Sequence, residues 1–503
     1  MLRKLAFVVA FLLLLVAAAA VAVRLWLNSD ALRVTLEQQA SAALGQPVAL
    51  GSADATLFPR LGLHLTDVRV GEPAIADIED ITVATGLDLL FEREVRDAEL
   101  GLRGGFLDPA ALAGLGAAAA SDRAPTPSAG AGNGVVVSSV RSIRLRDVDV
   151  SVGAQRLPLD LDASIDAGQI VIEKATLRIR DTVTHITGTI QSTPSIEGQL
   201  TITADALPAD VLLGALSTTS ADGTAASVQS TAAPYHVAVT LKANAVSLAD
   251  TQLRAVDALV DATPERVIIE PLTFAAYDGT FRGDARLTSG PRAGSMLHVK
   301  GAASGVDVTQ LQSSSTNTTT GRLDARVDLQ ANMEAFSASW LRAVNGSVQL
   351  HLHDGRMPGV GVIKQSVIRF ANRATAPRDL STSDTYNRVD AHLQLADGLA
   401  TISGLTLETP DFTATGNGTF GLLDSSIALN VQLTLTEALS QAAGRDLYRY
   451  AREGNRVVLP AIIGGTLEEP TATIDVGDAA RRALRNRIED EAKSALDRLL
   501  RRR

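Results

Sequence analysis

From Val48 onward, run after run of the chain alternates apolar and polar residues one for one. Leu63 and Leu65, then Val68 and Val70, keep this period, as do Leu157, Leu159 and Leu161. Val237, Val239 and Leu241 repeat it, followed by Leu323, Ala325, Val327 and Leu329. Later come Val348, Leu350, Leu352, then Val389, Ala391, Leu393, Leu395, and the cleanest run, Ile427, Leu429, Val431, Leu433, Leu435. A strand turns successive side chains to opposite faces, so this period predicts strands with one greasy and one wet face. Asp278-Gly279, Asn345-Gly346, Asp354-Gly355 and Asp397-Gly398 predict short hairpin turns, because Asn, Asp and Gly accept the left-handed backbone such turns need. Val389 to Thr436 reads as a four-strand meander. The expected fold is mainly β, a long, curved, meandering antiparallel sheet with a few short helices.

Three other patterns interrupt the alternation. Arg3 and Lys4 precede an uncharged run from Leu5 to Val23, closed by Arg24. As a helix this run reaches about 28 Å, close to the thickness of a bilayer core. Leu5, Phe7, Phe11, Leu12, Leu13, Leu14, Leu15, Val16, Val21 and Val23 would meet the lipid, and the leading positive charges place the amino terminus in the cytoplasm. Ala20-Val21-Ala22 leaves a cleaved signal peptide as the alternative, and either way the rest of the chain is exported. Asn28-Ser29-Asp30 caps a helix that carries Leu32, Leu36, Ala40 and Ala43 and stops at Gly45. Shorter helices are expected from Asp108-Pro109 to Ala120, from Ser337 to Val344, over Gly359 to Asn372 with Ile363, Val367 and Phe370, and from Thr436-Glu437 through Leu439, Ala443, Leu447 and Ala451. Finally, Asp478 to Arg503 is a basic amphipathic helix with Leu484, Ile488, Ala492, Ala495 and Leu499 on one stripe. It either caps the last strands or docks on a membrane surface or a partner.

These patterns divide the chain into a tip and anchor (1–27), a helix with the first strands (28–112), an Ala/Gly/Pro-rich linker (113–134), a middle β region (135–335), a carboxy-terminal β module (336–476) and the basic helix (477–503). Across 503 residues, 46 Lys and Arg stand against 56 Asp and Glu, a net charge of −10, which argues against nucleic acid as a partner. There is no cysteine, which removes disulfides, thiolate metal sites and cysteine nucleophiles and suits an oxidising compartment.

Searches for chemistry return little. His351 and His353 share the wet face of one strand without a third ligand nearby in sequence, and solvated strand histidines are the better account. Gly416-Asn417-Gly418-Thr419-Phe420-Gly421 has the letters of a dinucleotide loop, but a strand follows where a helix must start, so a turn is expected. Asp160, Asp162 and Asp166 lack the remaining pattern of a calcium loop. No catalytic residue, metal ligand or cofactor is assigned, and the expectation is a protein that is not an enzyme. The open question is what covers the greasy face. About 20–25 strands are suggested, more than the few helices can shield, so either sheets pack face to face or a curved sheet leaves an apolar trough. Candidate trough residues are Val348, Leu350, Leu352, Val389, Leu393, Leu395, Ile427, Leu429, Val431, Leu433 and Leu435.

Several stretches resemble the AsmA family of bacterial envelope proteins. Leu44-Gly45-Gln46-Pro47-Val48, Leu57-Phe58-Pro59-Arg60-Leu61-Gly62-Leu63-His64-Leu65-Thr66-Asp67-Val68 and Gly71-Glu72-Pro73 are similar to its amino-terminal part, with Glu72 where the family more often has Asn. Gly346-Ser347-Val348 through His353-Asp354-Gly355-Arg356-Met357-Pro358-Gly359, Phe412 to Gly418, and Gly464-Gly465-Thr466-Leu467-Glu468-Glu469-Pro470 resemble its carboxy-terminal module. The likeness covers roughly residues 1–100 and 337–475, and the middle fits in pattern only. It implies a single-pass protein of the bacterial inner membrane with its bulk in the periplasm, serving outer-membrane assembly and lipid homeostasis. It also implies kinship with chorein-type bridge-like lipid-transfer proteins, whose β grooves carry phospholipid. Phospholipid, the inner membrane and envelope-assembly proteins are therefore the expected partners. The alternative is a non-enzymatic scaffold that assists outer-membrane protein assembly.

Overall fold

A computed structural model of the chain describes residues 30–56, 61–85, 94–95, 97–108, 136–137, 139–152, 155–191, 195–208, 235–248, 251–290, 294–311, 318–332, 340–370, 384–442, 451–466 and 469–475, with scattered positions from 481 to 492. The anchor residues Leu5, Phe7, Phe11, Leu12, Leu13, Leu14, Leu15, Val16, Val21 and Val23 lie outside the described residues, as does the helix expected at Pro109–Ala120. Among the described residues no helix is long and apolar enough to cross a membrane. The chain forms two compact units, 1–256 with 260–263 and 257–259 with 264–503.

The first unit begins with α1 (Asp30–Leu44), which ends at Gly45 in the left-handed conformation (φ 65°), as its capping pattern predicts. Strands β1 (Val48–Ala49) and β2 (Ser52–Thr56) both pair antiparallel with β3 (Leu61–Val70), and β3 pairs with β4 (Ala76–Thr85). Next come β5 (Glu94–Val95), β6 (Ala98–Arg103), β7 (Phe106–Leu107), β8 (Val136–Val137) and β9 (Val140–Val152). β6 and β7 pair antiparallel with β4 but parallel with β9, while β5 and β8 form a small parallel ladder of their own. From β9 the chain meanders antiparallel through β10 (Gln155–Asp166), β11 (Gln169–Ile179), β12 (Thr182–Gln191) and β13 (Ile196–Pro208). β14 (Tyr235–Leu248) then runs parallel to β13. The meander is antiparallel as expected, interrupted by these parallel steps. Neighbours that run in the same direction need a crossover of a dozen or more residues. Residues 109–135 and 209–234 lie between the strands concerned, and the first of these stretches contains the Ala/Gly/Pro-rich linker.

After β15 (Thr251–Ala262), which carries residues of both units, the second unit is antiparallel throughout. Its strands are β16 (Arg266–Ala276), β17 (Gly279–Gly290), β18 (Gly294–Asp307), β19 (Thr320–Asn332), β20 (Val344–Arg356), β21 (Thr385–Ala396), β22 (Leu399–Glu408), β23 (Phe412–Gly421), β24 (Ile427–Leu435), β25 (Arg452–Glu453), β26 (Arg456–Gly465) and β27 (Pro470–Ile474). Each of β16 to β23 pairs with the next, β24 with β26, and β26 with both β25 and β27. Among the described residues three α-helices interrupt them: α2 (Trp340–Ala343), α3 (Val360–Phe370) and α4 (Glu437–Ala442). The meander expected at Val389–Thr436 is present as β21 to β24.

The turns are mixed in outcome. Asp397 and Gly398 join β21 to β22 with both φ angles positive (51° and 77°), the geometry that matches strand twist. At the turn before β17 the positive φ angles fall on Tyr277 and Asp278, one residue earlier than expected. Asn345-Gly346 and Asp354-Gly355 are not turns, because both lie inside β20. A side chain on Gly346 would run into the carbonyl of Asp328, and one on Gly355 into that of Thr320, so these glycines serve the close approach of β19.

Helices cover the outermost strand of each unit. On α1, Ser41 Oγ accepts a hydrogen bond from the Val48 amide and Glu37 Oε1 one from the Leu50 amide, both at 2.9 Å, while Arg33 donates to the Leu50 carbonyl. On α3, Ser366 Oγ donates to the Ala472 carbonyl of β27 at 2.7 Å. The main core of the second unit lies beneath α3 and α4. Val360, Ile363 and Val367 of α3 and Leu439 of α4 belong to the same cluster as Phe412, Leu433, Leu435, Val457 and Leu459. Lys364, almost fully buried on α3, is anchored by Asp411. At the described positions between 481 and 492 the backbone is helical, and Leu484 and Ile488 are exposed.

Two measurements check this packing. Leu433→Ala removes a side chain with no exposed surface and is expected to cost about 2–5 kcal/mol, read as a lowered urea midpoint; an unchanged midpoint would mean the site is not packed. Tyr386 donates its hydroxyl to the Thr320 carbonyl at 2.7 Å, and burial, with the nearby Asp354 charge, pushes its phenol up to about 12. The unfolded tyrosine ionises near 10, so stability should fall as pH rises from about 10 to 12. Tyr386→Phe should flatten that slope in urea titrations, and an equally steep slope in the variant would remove Tyr386 as its source.

Candidate functional site

Period-two alternation puts the apolar residues of β20 to β24 on one face, and in the second unit that face is not entirely filled. Cross-strand register shows why. One row of neighbours, Leu352, Val389, Leu407, Ala414, Leu433 and Leu459, is continuous side chain. In the next, Leu405 faces Gly416, followed by Val431 and Ala461. In the one after, Leu393 faces Ile402, then Gly418, Leu429 and Ile463. Gly416 and Gly418 add nothing to the face. A Cβ on either would collide with the Asn430 or the Ala428 carbonyl of β24, so no larger residue fits there.

The result is a half-open cavity of about 340 Å³. Leu350, Leu352, Val389, Leu393, Ile427, Leu429 and Val431 line it, together with Ala391, Ile402, Leu405, Leu407, Ala414, Phe420 and Ile463. Met357, Pro358 and Gly359, then Val360 and Ile363 of α3, close one side, and Pro470 completes the wall. Every lining residue is apolar or glycine. The φ of +97° at Gly359 starts the turn into α3, and Pro470 packs where a side chain there would point.

Seven of the eleven candidate trough residues therefore share one cavity. Val348 and Leu395 belong instead to a neighbouring cluster with Ala331, Val344 and Ala400. Leu433 and Leu435 are corrected outright: they are fully buried core beneath the helices, with no surface to offer a guest. The sequence reading missed the wall made by α3 and its lead-in loop. It also took Gly416 to Gly421 for a turn, whereas all of it is strand β23. The signal was present in the period-two series Phe412, Ala414, Gly416, Gly418, Phe420, which keeps one face while its side chains shrink and grow again.

The opposite face is wet and its charges are matched. His351 Nδ1 lies 2.6 Å from Asp390, Arg388 bridges Asp390 and Glu408, and His353 stands 3.5 Å from both Asp324 and Asp354. The Ser304 hydroxyl and the Gly305 amide hold the Asp324 carboxyl below the usual carboxylate range. In the first unit, Asp160 accepts from the Asp147 amide and from Arg178, which lowers it in the same way, and Asp162 pairs with Arg146. Among the described residues no group of three or more His, Cys, Asp or Glu is placed to hold a metal ion.

Neither the curated proteins nor the solved structures compared with this chain gave a match. The family match overlaps the carboxy-terminal likeness at 337–405 and otherwise lies in the middle region, where only the alternation was legible. The family model described as the AsmA family matches residues 212–405, and over that stretch the chain is similar to this family.

Proposed function

We propose that this is a non-enzymatic protein of the bacterial envelope, anchored in the inner membrane by Leu5–Val23, whose apolar β groove binds or conducts the acyl chains of phospholipid. The AsmA-family match points to an envelope-related role. The single observation that carries the lipid reading is the half-open cavity walled only by apolar residues. A methylene takes about the room of a water molecule, ~30 Å³, so about ten tail carbons fit. At ~0.8 kcal/mol per methylene withdrawn from water, that burial contributes on the order of 8 kcal/mol, more than ordering part of one tail costs. The headgroup would stay at the open mouth. On this reading the curved trough expected from the alternation is the working surface, and α3 stoppers the described cavity on one side. The scaffold alternative, acting through strand edges, has less support, because side chains of α1 and α3 already bond the edge groups of β1 and β27.

The test is photocrosslinking of the full chain with a phospholipid that carries a diazirine in its tail. Label is expected on the cavity residues. It should fall at least about tenfold in Leu429→Asp and in Ala391→Phe, which fills the hollow without charge, when both variants keep the wild-type urea midpoint. Unchanged labelling in folded variants, or label confined to residues outside the cavity, would overturn the proposal.

A further inference from the structure

We infer that the wet face of the first unit carries a binding site for a phosphate-type oxyanion, held by Arg103 and Arg144. A hollow of about 450 Å³ opens there across β3, β4, β6 and β9. Its middle is Gly101, where a Cβ would come within 2.7 Å of the Thr82 hydroxyl, so a larger residue would fill it. In the parallel ladder of β6 and β9, Gly101 is partnered by Arg144 and Arg103 by Arg146, which sets three guanidinium groups on neighbouring positions. Like charges side by side across a ladder destabilise it unless a counter-charge is supplied.

Only one of them is bonded to a counter-charge. Arg146 donates to Asp162 at 2.6 Å. Asp80 is the register partner of Arg103 on the other side, but its carboxylate is taken by His64 Nε2 at 2.8 Å. Glu99 also lines the hollow, four residues (about 13 Å) from Arg103 along β6 and diagonal to Arg144 across the ladder, and is bonded to neither arginine. Among the described residues, Arg103 and Arg144 have no ion-pair or hydrogen-bond partner. Two free guanidinium forks beside a hollow match the oxygens of a phosphate, which they bind through paired charge-assisted hydrogen bonds, and the Ser142 hydroxyl at the rim adds a donor. On the opposite face Ile81 and Ile143 pack into the core, so the hollow lies on the wet side of the sheet.

The phosphate chemistry could come from free phosphate or from a lipid headgroup, and two ligands separate these sources. The full chain in a non-ionic detergent is titrated calorimetrically with inorganic phosphate and with glycerophosphoglycerol, a headgroup without tails, at constant ionic strength. Saturable binding of phosphate, weakened at least about tenfold in Arg103→Gln/Arg144→Gln, supports the site with a free phosphate as ligand. Saturable binding of glycerophosphoglycerol alone, with the same loss, supports it with a headgroup as ligand. Both arginines are exposed, so the urea midpoint of the variant should equal that of the wild type. No saturation with either ligand, or equal affinity in the folded variant, would overturn the site.

Discussion

A sheet that is greasy on one side and wet on the other must cover the greasy side, and the rest of this molecule follows from how it does so. In the second unit two short helices shield part of that side, with Val360, Ile363, Val367 and Leu439 pressed onto Phe412, Leu433 and Leu459. Beyond them the described residues leave the face half open. Side chains that would otherwise fill the space are missing at Gly416 and Gly418, where the backbones of β23 and β24 come too close for a Cβ. The same face thus changes from closed core to open hollow within two rows of residues. That step is what gives this region its chemical character.

The wet side obeys a parallel rule. Histidine and aspartate meet across neighbouring strands at His64–Asp80, His236–Asp261, His298–Asp328 and His351–Asp390. Exposed pairs of this kind add little stability each. Their value lies in register: a slip by one residue would bring these charges onto the apolar face and put leucines in water. Arg103 of β6 and Arg144 of β9 depart from this matching, which is why they stand out.

Much of this was legible from residue order alone. Period two marked β3, β10, β14, β19, β20, β21 and β24, and the caps and stop around α1 placed it closely. What was not legible depends on neighbours distant in sequence. Asn345-Gly346 and Asp354-Gly355 look like hairpin turns locally, yet they are strand because β19 passes so near that only glycine fits. The parallel pairing of β13 with β14 and of β6 with β9 leaves no trace in local alternation, since a strand has the same period in either direction. The trough residues divided for a similar reason: Val431 and Leu433 are neighbours in one periodic run and one buried cluster, but only Val431 borders the cavity, opposite Gly416.

The helix side chains that bond the outer strands have one more consequence. An unshielded strand is a template on which a second copy of the same chain can add its own, and repetition of that step builds fibres. With Ser41 and Glu37 holding the amides of Val48 and Leu50, and Ser366 holding the carbonyl of Ala472, those groups are withheld from such growth. A strand added at either place would first have to displace the helix side chain that holds these groups.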